Sequence, residues 1–253
     1  MRILFITALF VIFGFSLSAE GFTRGLVAAQ SGDFSTALKE WTPLAEQGYA
    51  QAQYNLAVIF DTGQGVPQNP VAAVKWYRLA AEQGDGSAQY NLAAMYENGV
   101  GVPLNNTEAV KWYRRAAEQG HAHAQNNLAV MYQNGSGVSK DYTKAFKWYI
   151  VAADQGHATA QSNLGFMYDN GVGVHQSKIL AYMWYSLAAA EGEKQGGKNR
   201  DILARKMTFN SIKKAKEMAL ECFNNNYKDC GYWAEAHYLH FRIQNNQGGE
   251  SAG

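Results

Sequence analysis

The chain has few cysteines and almost no net charge, and each shortage excludes a class of function. Its formal net charge is +1, with 22 lysines and arginines against 21 acidic residues. Nucleic acid is therefore not expected as the main partner, because phosphate binding needs many clustered cations. The two cysteines, Cys222 and Cys230, do not form a C-x-x-C pair, which argues against a redox or metal motif.

Catalytic and metal-binding motifs are also missing. No phosphate-binding loop, nucleophile elbow or H-E-x-x-H sequence occurs. His121, His123 and His157 lack ligand partners at a suitable spacing, and His237 and His240 near Cys230 fall short of the roughly four ligands of a structural zinc site. The sequence predicts no catalytic residue, no metal and no cofactor.

One long apolar run stands at the start of the chain. Met1 and Arg2 precede 17 uncharged residues, 3–19. This order of basic start, apolar centre and small residues is typical of a secretory signal peptide over residues 1–19, cleaved near Ala19 or Gly21. The alternative is an uncleaved anchor, since the run reaches the lower limit for a bilayer span. We expect a periplasmic or secreted protein with no membrane span after cleavage; the endoplasmic-reticulum lumen is the alternative.

The two cysteines fit an oxidising compartment. Cys222 and Cys230 flank FNNNYKD, which is typical of a helix end followed by a polar turn. A disulfide between them would close a short loop and hold the C-terminal segment. We predict this structural disulfide in preference to a redox or metal role.

Four copies of a 36-residue unit occupy the middle of the chain, and each copy begins with a glycine. The copies span residues 48–83, 84–119, 120–155 and 156–191. Self-similarity at this period predicts a solenoid, in which each unit buries its apolar face against its neighbours.

Each copy contains two stretches with helical spacing. In the second copy the first helix is predicted from about Ser87 to Glu97, and Gly99 is free to adopt the left-handed conformation that ends it. Asn106 or Thr107 is predicted to cap the second helix. The tryptophan of each second helix is predicted to lie in the core: Trp76, Trp112, Trp148 and Trp184.

Three linked motifs resemble a known family. They are A-x-A-Q-x-N-L-A-x-M-Y, N-G-x-G-V and A-x-x-W-Y-x-x-A-A-E-Q-G, over about residues 48–191. This pattern resembles Sel1-like repeats, relatives of the tetratricopeptide repeat. The resemblance implies an all-α fold, an α/α solenoid coiled into a right-handed superhelix, and an adaptor function. A cysteine-rich subgroup is associated with penicillin-like compounds, but this chain lacks cysteines in its repeats.

The two ends differ from the repeats, as terminal units of an array do. Residues 21–47 are predicted to form a capping hairpin like a tetratricopeptide unit. Residues 192–244 are predicted to form a helical cap that contains Cys222 and Cys230, with Thr208 capping one of its helices. Residues 245–253 are predicted to be a disordered tail.

Positions that vary among the copies are the candidates for partner binding. A first row and a second, mostly acidic row lie on the first helices, which tend to line the concave side of such an array. The first row is Tyr54, Tyr90, Asn126 and Ser162, and the second row is Asp61, Glu97, Gln133 and Asp169. We predict that both rows line a groove for a peptide or partner helix; the alternative is that they are ordinary solvated or half-buried positions.

One asparagine is present at the same position of every copy, which favours a structural role. We expect each amide to bond to the backbone of the adjoining turn: Asn55, Asn91, Asn127 and Asn163. The predicted function is an exported, non-enzymatic adaptor that binds another protein or peptide. The alternatives are a cell-envelope hydrolase of β-lactam or peptidoglycan type, and an oligomerisation module that uses the aromatic C-terminal segment.

Overall fold

All regular structure in the described part of the chain is helical. The computed structural model describes residues 19–228 and Cys230. The described residues divide into two compact units, the first ending at Gln119 and the second beginning at Gly120. The first unit contains α1 (19–30), α2 (Phe34–Glu46), α3 (Ala50–Thr62), α4 (Pro70–Glu82), α5 (Gly86–Asn98) and α6 (Asn106–Glu118). The second contains α7 (Ala122–Asn134), α8 (Tyr142–Ala153), α9 (Ala158–Asn170), α10 (Lys178–Ala190), α11 (Lys194–Ala204) and α12 (Phe209–Asn224).

Within each unit a helix packs mainly on its neighbours in the sequence. In the first unit α2 packs on α3, and the contacts continue in order to α6. In the second unit the same order runs from α7 to α11, while α12 packs on α10 and α11 also contacts α9. This pattern of neighbour contacts confirms the predicted all-α solenoid of helix pairs.

The helix ends follow from local side chains. The side chain of Asp85 accepts a hydrogen bond from the Ala88 amide at 2.7 Å and so begins α5. Gly99 ends α5 with φ of +67°, as predicted. The predicted cap of α6 was wrong by one residue: Asn105, not Asn106 or Thr107, accepts from the Glu108 amide. Asn105 has the extended backbone that a cap needs, whereas the residues after it are already helical.

The tyrosine that follows each repeat tryptophan is buried more consistently than the tryptophan itself. Trp112 and Trp184 are buried as predicted, but Trp76 and Trp148 are only half-buried. Trp76 lines an open pocket of about 560 Å³, with the Lys75 ammonium 5.1 Å from its ring centre. The tyrosines next to the tryptophans lie between the helices and are almost fully buried. They are Tyr77, Tyr113, Tyr149 and Tyr185.

A buried glutamine links successive helix pairs, a role that the sequence analysis did not assign. Gln53 Nε2 donates to the Ala45 carbonyl at 3.0 Å, and Gln83 Nε2 donates to Gln53 Oε1 at 2.7 Å. Gln89 with Gln119, and Gln125 with Gln155, repeat the side-chain bond. We call this series of glutamine bonds the glutamine ladder. The sequence signal for it was the glutamine that ends the A-x-A-Q motif and is present in every copy.

The ladder is incomplete at its last member. Gln161 Nε2 donates to the Ala153 carbonyl, but Gln161 Oε1 is buried and accepts no hydrogen bond within the described part of the chain. The residue one period after Gln155 is Glu191, whose carboxylate cannot donate to this oxygen and instead accepts from the Tyr227 hydroxyl. The glutamine bond of the other copies is therefore lost at the fourth copy, where the C-terminal cap follows the repeats.

The C-terminal cap contains the predicted disulfide. Cys222 of α12 is bonded to Cys230, with Cα atoms 5.6 Å apart. Thr208 caps α12 as predicted, since its hydroxyl accepts from the Ser211 amide. The predicted signal sequence, except residue 19, and the predictions for residues 231–253, including His237 and His240, lie outside the described residues. No helix in the described ranges has the length and apolar character to cross a membrane.

Candidate protein-binding surface

The first row is open to solvent only in the first unit. Tyr54 and Tyr90 are half-buried, and their rings pack against the buried Tyr77 and Tyr113 at centroid distances of 5.9 and 5.8 Å. Each first-row tyrosine thus lies against the second helix of its own copy while part of it stays exposed. The α3 and α5 helices present two partly exposed aromatic side chains one repeat apart.

In the second unit the first row is buried. Asn126 and Ser162 are 7% and 8% exposed. Asn126 Nδ2 donates to Asn127 Oδ1, and Asn163 Nδ2 donates to Asn126 Oδ1. Ser162 lies beneath α11, since its hydroxyl would be 3.4 Å from a Cβ built on Gly196. These two residues therefore present little surface to a partner.

The second row is hydrogen-bonded to the buried tyrosines. Tyr77 OH donates to Asp61 Oδ2 at 3.4 Å, and Tyr113 OH donates to Glu97 Oε2 at 2.7 Å. Tyr149 OH donates to Gln133 Oε1 at 3.0 Å in the second unit. The row is half-buried throughout. Its side chains thus tie the two helices of a copy together and keep further acceptor capacity for a ligand.

Burial and nearby carboxylates keep the hydroxyls of Tyr77 and Tyr185 protonated. Burial raises the pKa of Tyr77, and the nearby Asp61 carboxylate raises it further. Burial and then the Asp169 carboxylate raise the pKa of Tyr185 in the same way. These two hydroxyls therefore act as neutral hydrogen-bond donors at physiological pH, which leaves the negative charge on Asp61 and Asp169.

The repeated asparagines lie within the first helices of the copies, and two of them, Asn127 and Asn163, bond to another side chain. The Asn91 side chain lies near the hydroxyls of Tyr54 and Tyr77, where its interaction partly offsets the rise in the pKa of both tyrosines. Asn163 bonds to Asn126, as described above. The asparagine of the second copy therefore lies beside the tyrosines of the first copy. We name the set Tyr54, Tyr90, Asp61, Glu97 and Asn91 the tyrosine surface.

The histidines singled out in the sequence act at helix starts. His121 Nδ1 accepts from the Ala124 amide and begins α7, while His157 Nδ1 accepts from the Ala160 amide and begins α9. His157 Nε2 lies 2.9 Å from His123 Nδ1. Within residues 19–228 and Cys230, no group of three or more His, Cys, Asp or Glu side chains could hold a metal ion.

Comparisons with known proteins agree with this architecture. A model described as the Sel1 repeat matches residues 50–85, 86–121, 122–157 and 158–193. A solved structure of a Sel1 repeat protein from Oxalobacter formigenes is 32% identical, with a TM-score of 0.70, and the match covers 81% of this chain and 84% of that one. No curated protein matches the chain.

A second solved structure is that of a protective antigen from uropathogenic Escherichia coli with an SLR fold. It is 33% identical, with a TM-score of 0.77. The match covers 88% of this chain but only 48% of that one. The chain therefore spans about half the length of the Escherichia coli structure.

Proposed function

Because the chain belongs to the Sel1 repeat family, we propose that it is an exported adaptor that binds another protein or peptide through the tyrosine surface. The family match over four repeats supports a protein-interaction scaffold. The antigen role belongs to the Escherichia coli relative and names no partner for this chain.

The exposed part of Tyr54 and Tyr90 is the observation that carries the proposal. Tyrosine offers flat contact area with a polar end, and it is enriched at interfaces. Both rings are held in place by Tyr77 and Tyr113 beneath them, so little ordering is needed on binding. Asp61 and Glu97 lie along the same helices and add negative charge, which favours a partner segment with apolar and cationic side chains.

Two features support export. The apolar run at residues 3–19 has the order of a signal peptide, and the Cys222–Cys230 disulfide fits an oxidising compartment. Mass measurement of the protein recovered from a bacterial periplasmic fraction tests this part of the proposal. We expect a mature start near Glu20, and a soluble periplasmic protein that retains Met1 would contradict it.

Affinity capture from a cell-envelope extract tests the binding surface. We expect Tyr54→Ala with Tyr90→Ala to lose the captured proteins, because the flat contact area is removed. The matched control replaces two exposed apolar residues of the same unit, Val71→Ala with Leu104→Ala. Circular dichroism establishes that both pairs stay folded. Equal capture by the wild type and the tyrosine pair would reject the tyrosine surface.

A further inference from the structure

The near-neutral total charge of the chain hides an uneven distribution. Residues 194–216 contain eight of its 22 lysines and arginines but only one of its 21 acidic residues, Asp201. This segment comprises α11 and the first half of α12, which belong to the cap and not to the repeats. The stacking of repeats does not require this excess of positive charge, so the charge points to a separate role of the cap.

The outer face of α12 combines these cations with large apolar side chains. Its inner face, which packs on α10, contains Ala215, Met218, Ala219 and Cys222. An exposed stripe of the same helix follows helical spacing through Phe209, Lys213, Lys216, Leu220 and Phe223. Phe209 is 80% and Leu220 61% exposed. The acids Glu217 and Glu221 lie to one side of this stripe.

A cationic pocket adjoins the start of the same helix. It has a volume of about 270 Å³ and is lined by Lys178, Lys206, Thr208 and Ser211 among others. Its lining, within the described residues, contains no acidic side chain. Phe209 directly follows Thr208, so an exposed aromatic ring stands beside a pocket suited to an anionic group.

We propose that this face of the cap, defined by Phe209, Lys213, Lys216 and Leu220 with Lys206 at its edge, binds the surface of an anionic lipid bilayer. Phe209 and Leu220 enter the boundary between headgroups and acyl chains. The lysines reach the phosphates, because their long stems lie along apolar surface while the ammonium groups stay in the polar layer. A soluble polyanion would engage the lysines alone and leave both apolar side chains in water, which is why a bilayer fits better.

The inference goes beyond the adaptor function and uses a different part of the molecule. The cap face lies on α12, whereas the tyrosine surface lies on α3 and α5. A protein with both would bind its partner next to a membrane. Because the two sets share no residue, either proposal can fail while the other stands.

Vesicle flotation of the exported, purified chain tests the proposal. We expect binding to phosphatidylcholine vesicles that contain phosphatidylglycerol, and little binding to phosphatidylcholine alone. Binding should fall in about 1 M salt, where the screening length is about 3 Å. Replacing Lys206, Lys213 and Lys216 by Gln should weaken binding by about a hundredfold, since each basic residue near an anionic surface adds to the attraction.

The apolar variant separates a bilayer from other anionic partners. We expect Phe209→Ser with Leu220→Ser to weaken vesicle binding by about tenfold or more, with an unchanged thermal midpoint because both side chains are mostly exposed. The matched control is Val71→Ser with Leu104→Ser, which are 68% and 63% exposed elsewhere. Equal binding to both kinds of vesicle, or binding that depends on the lysines but not on Phe209 and Leu220, would overturn the proposal.

Discussion

At the scale of single residues, the four copies differ in packing more than the similarity of their sequences indicates. Ala57, Ala93 and Ala129 stand where the fourth copy has Gly165. A Cβ on Gly165 would lie 2.5 Å from the Tyr185 ring, which is buried against α9. The missing methyl group therefore lets this ring approach the helix more closely than an alanine would allow.

The same substitution should have opposite effects at two glycines. Gly86 begins α5 where the other copies have alanine, and the nearest atom to an added Cβ is 3.6 Å away. We expect Gly86→Ala to raise the free energy of unfolding by up to about 1 kcal/mol, because it removes freedom from the unfolded chain. Gly165→Ala should lower it by about 1–3 kcal/mol, through overpacking against Tyr185. Urea unfolding measures both, and two changes of the same sign would contradict this account.

At the scale of helices, the first helices of successive copies are capped by different types of side chain. In the first unit α5 is capped by an aspartate, Asp85, whereas α7 and α9 of the second unit are capped by His121 and His157. A histidine caps a helix only while its ring nitrogen is unprotonated. Burial, followed by the charge of His123, lowers the pKa of both residues.

The histidine caps predict a loss of stability in mild acid. The folded pKa of each is lower than its unfolded value of about 6.5, so the unfolded chain takes up protons first as the pH falls. Stability should therefore decrease from about pH 6.5 towards the lower folded pKa, with each lost cap contributing about 1 kcal/mol. Chemical unfolding at about pH 7 and about pH 5 measures the change.

The repeats themselves suggest the control for this prediction. His121→Asp with His157→Asp copies the Asp85 cap, and aspartate stays ionised across most of this range because its usual pKa is about 3.9. The variant should lose less stability than the wild type between the two pH values. If both proteins respond equally to pH, the histidine caps are not the cause.

At the scale of the whole molecule, the described helices are stabilised mainly by contacts with their neighbours in the chain. Each helix contacts mainly its neighbours within its unit, so the stability of such an array is close to a sum of local terms. The disulfide acts at one end only, where it joins Cys222 on α12 to Cys230. A change at this bond should therefore have a local effect.

Removing the disulfide tests this locality. We expect Cys222→Ala with Cys230→Ala to lower the stability of the cap by about 2–3 kcal/mol, the size expected for closing a short loop. Amide hydrogen exchange should become faster in α12 and its partner α10, while α3 to α6 keep their protection. An equal loss of protection in all these helices would show instead that the chain unfolds as one cooperative unit.

The repeat pattern predicted the fold well and the candidate site only in part. Helical spacing and the glycine at Gly99 indicated the helices because those signals are local in the chain. The pattern could not show that Asp61 and Glu97 accept bonds from tyrosines sixteen positions later, nor that Ser162 lies beneath α11. Those facts depend on how helices pack, which a comparison of copies does not contain.

The sequence by itself determined the architecture, because four copies with the same helical spacing can bury their apolar faces only by stacking. The bonds between the repeated glutamines became visible only in the tertiary structure, although the glutamines themselves recur in every copy. Only the tertiary structure decided which varying positions stay in contact with solvent. Tyr54 and Tyr90 remain half-exposed, whereas Asn126 and Ser162 are buried, because exposure depends on neighbouring helices and not on the residue alone.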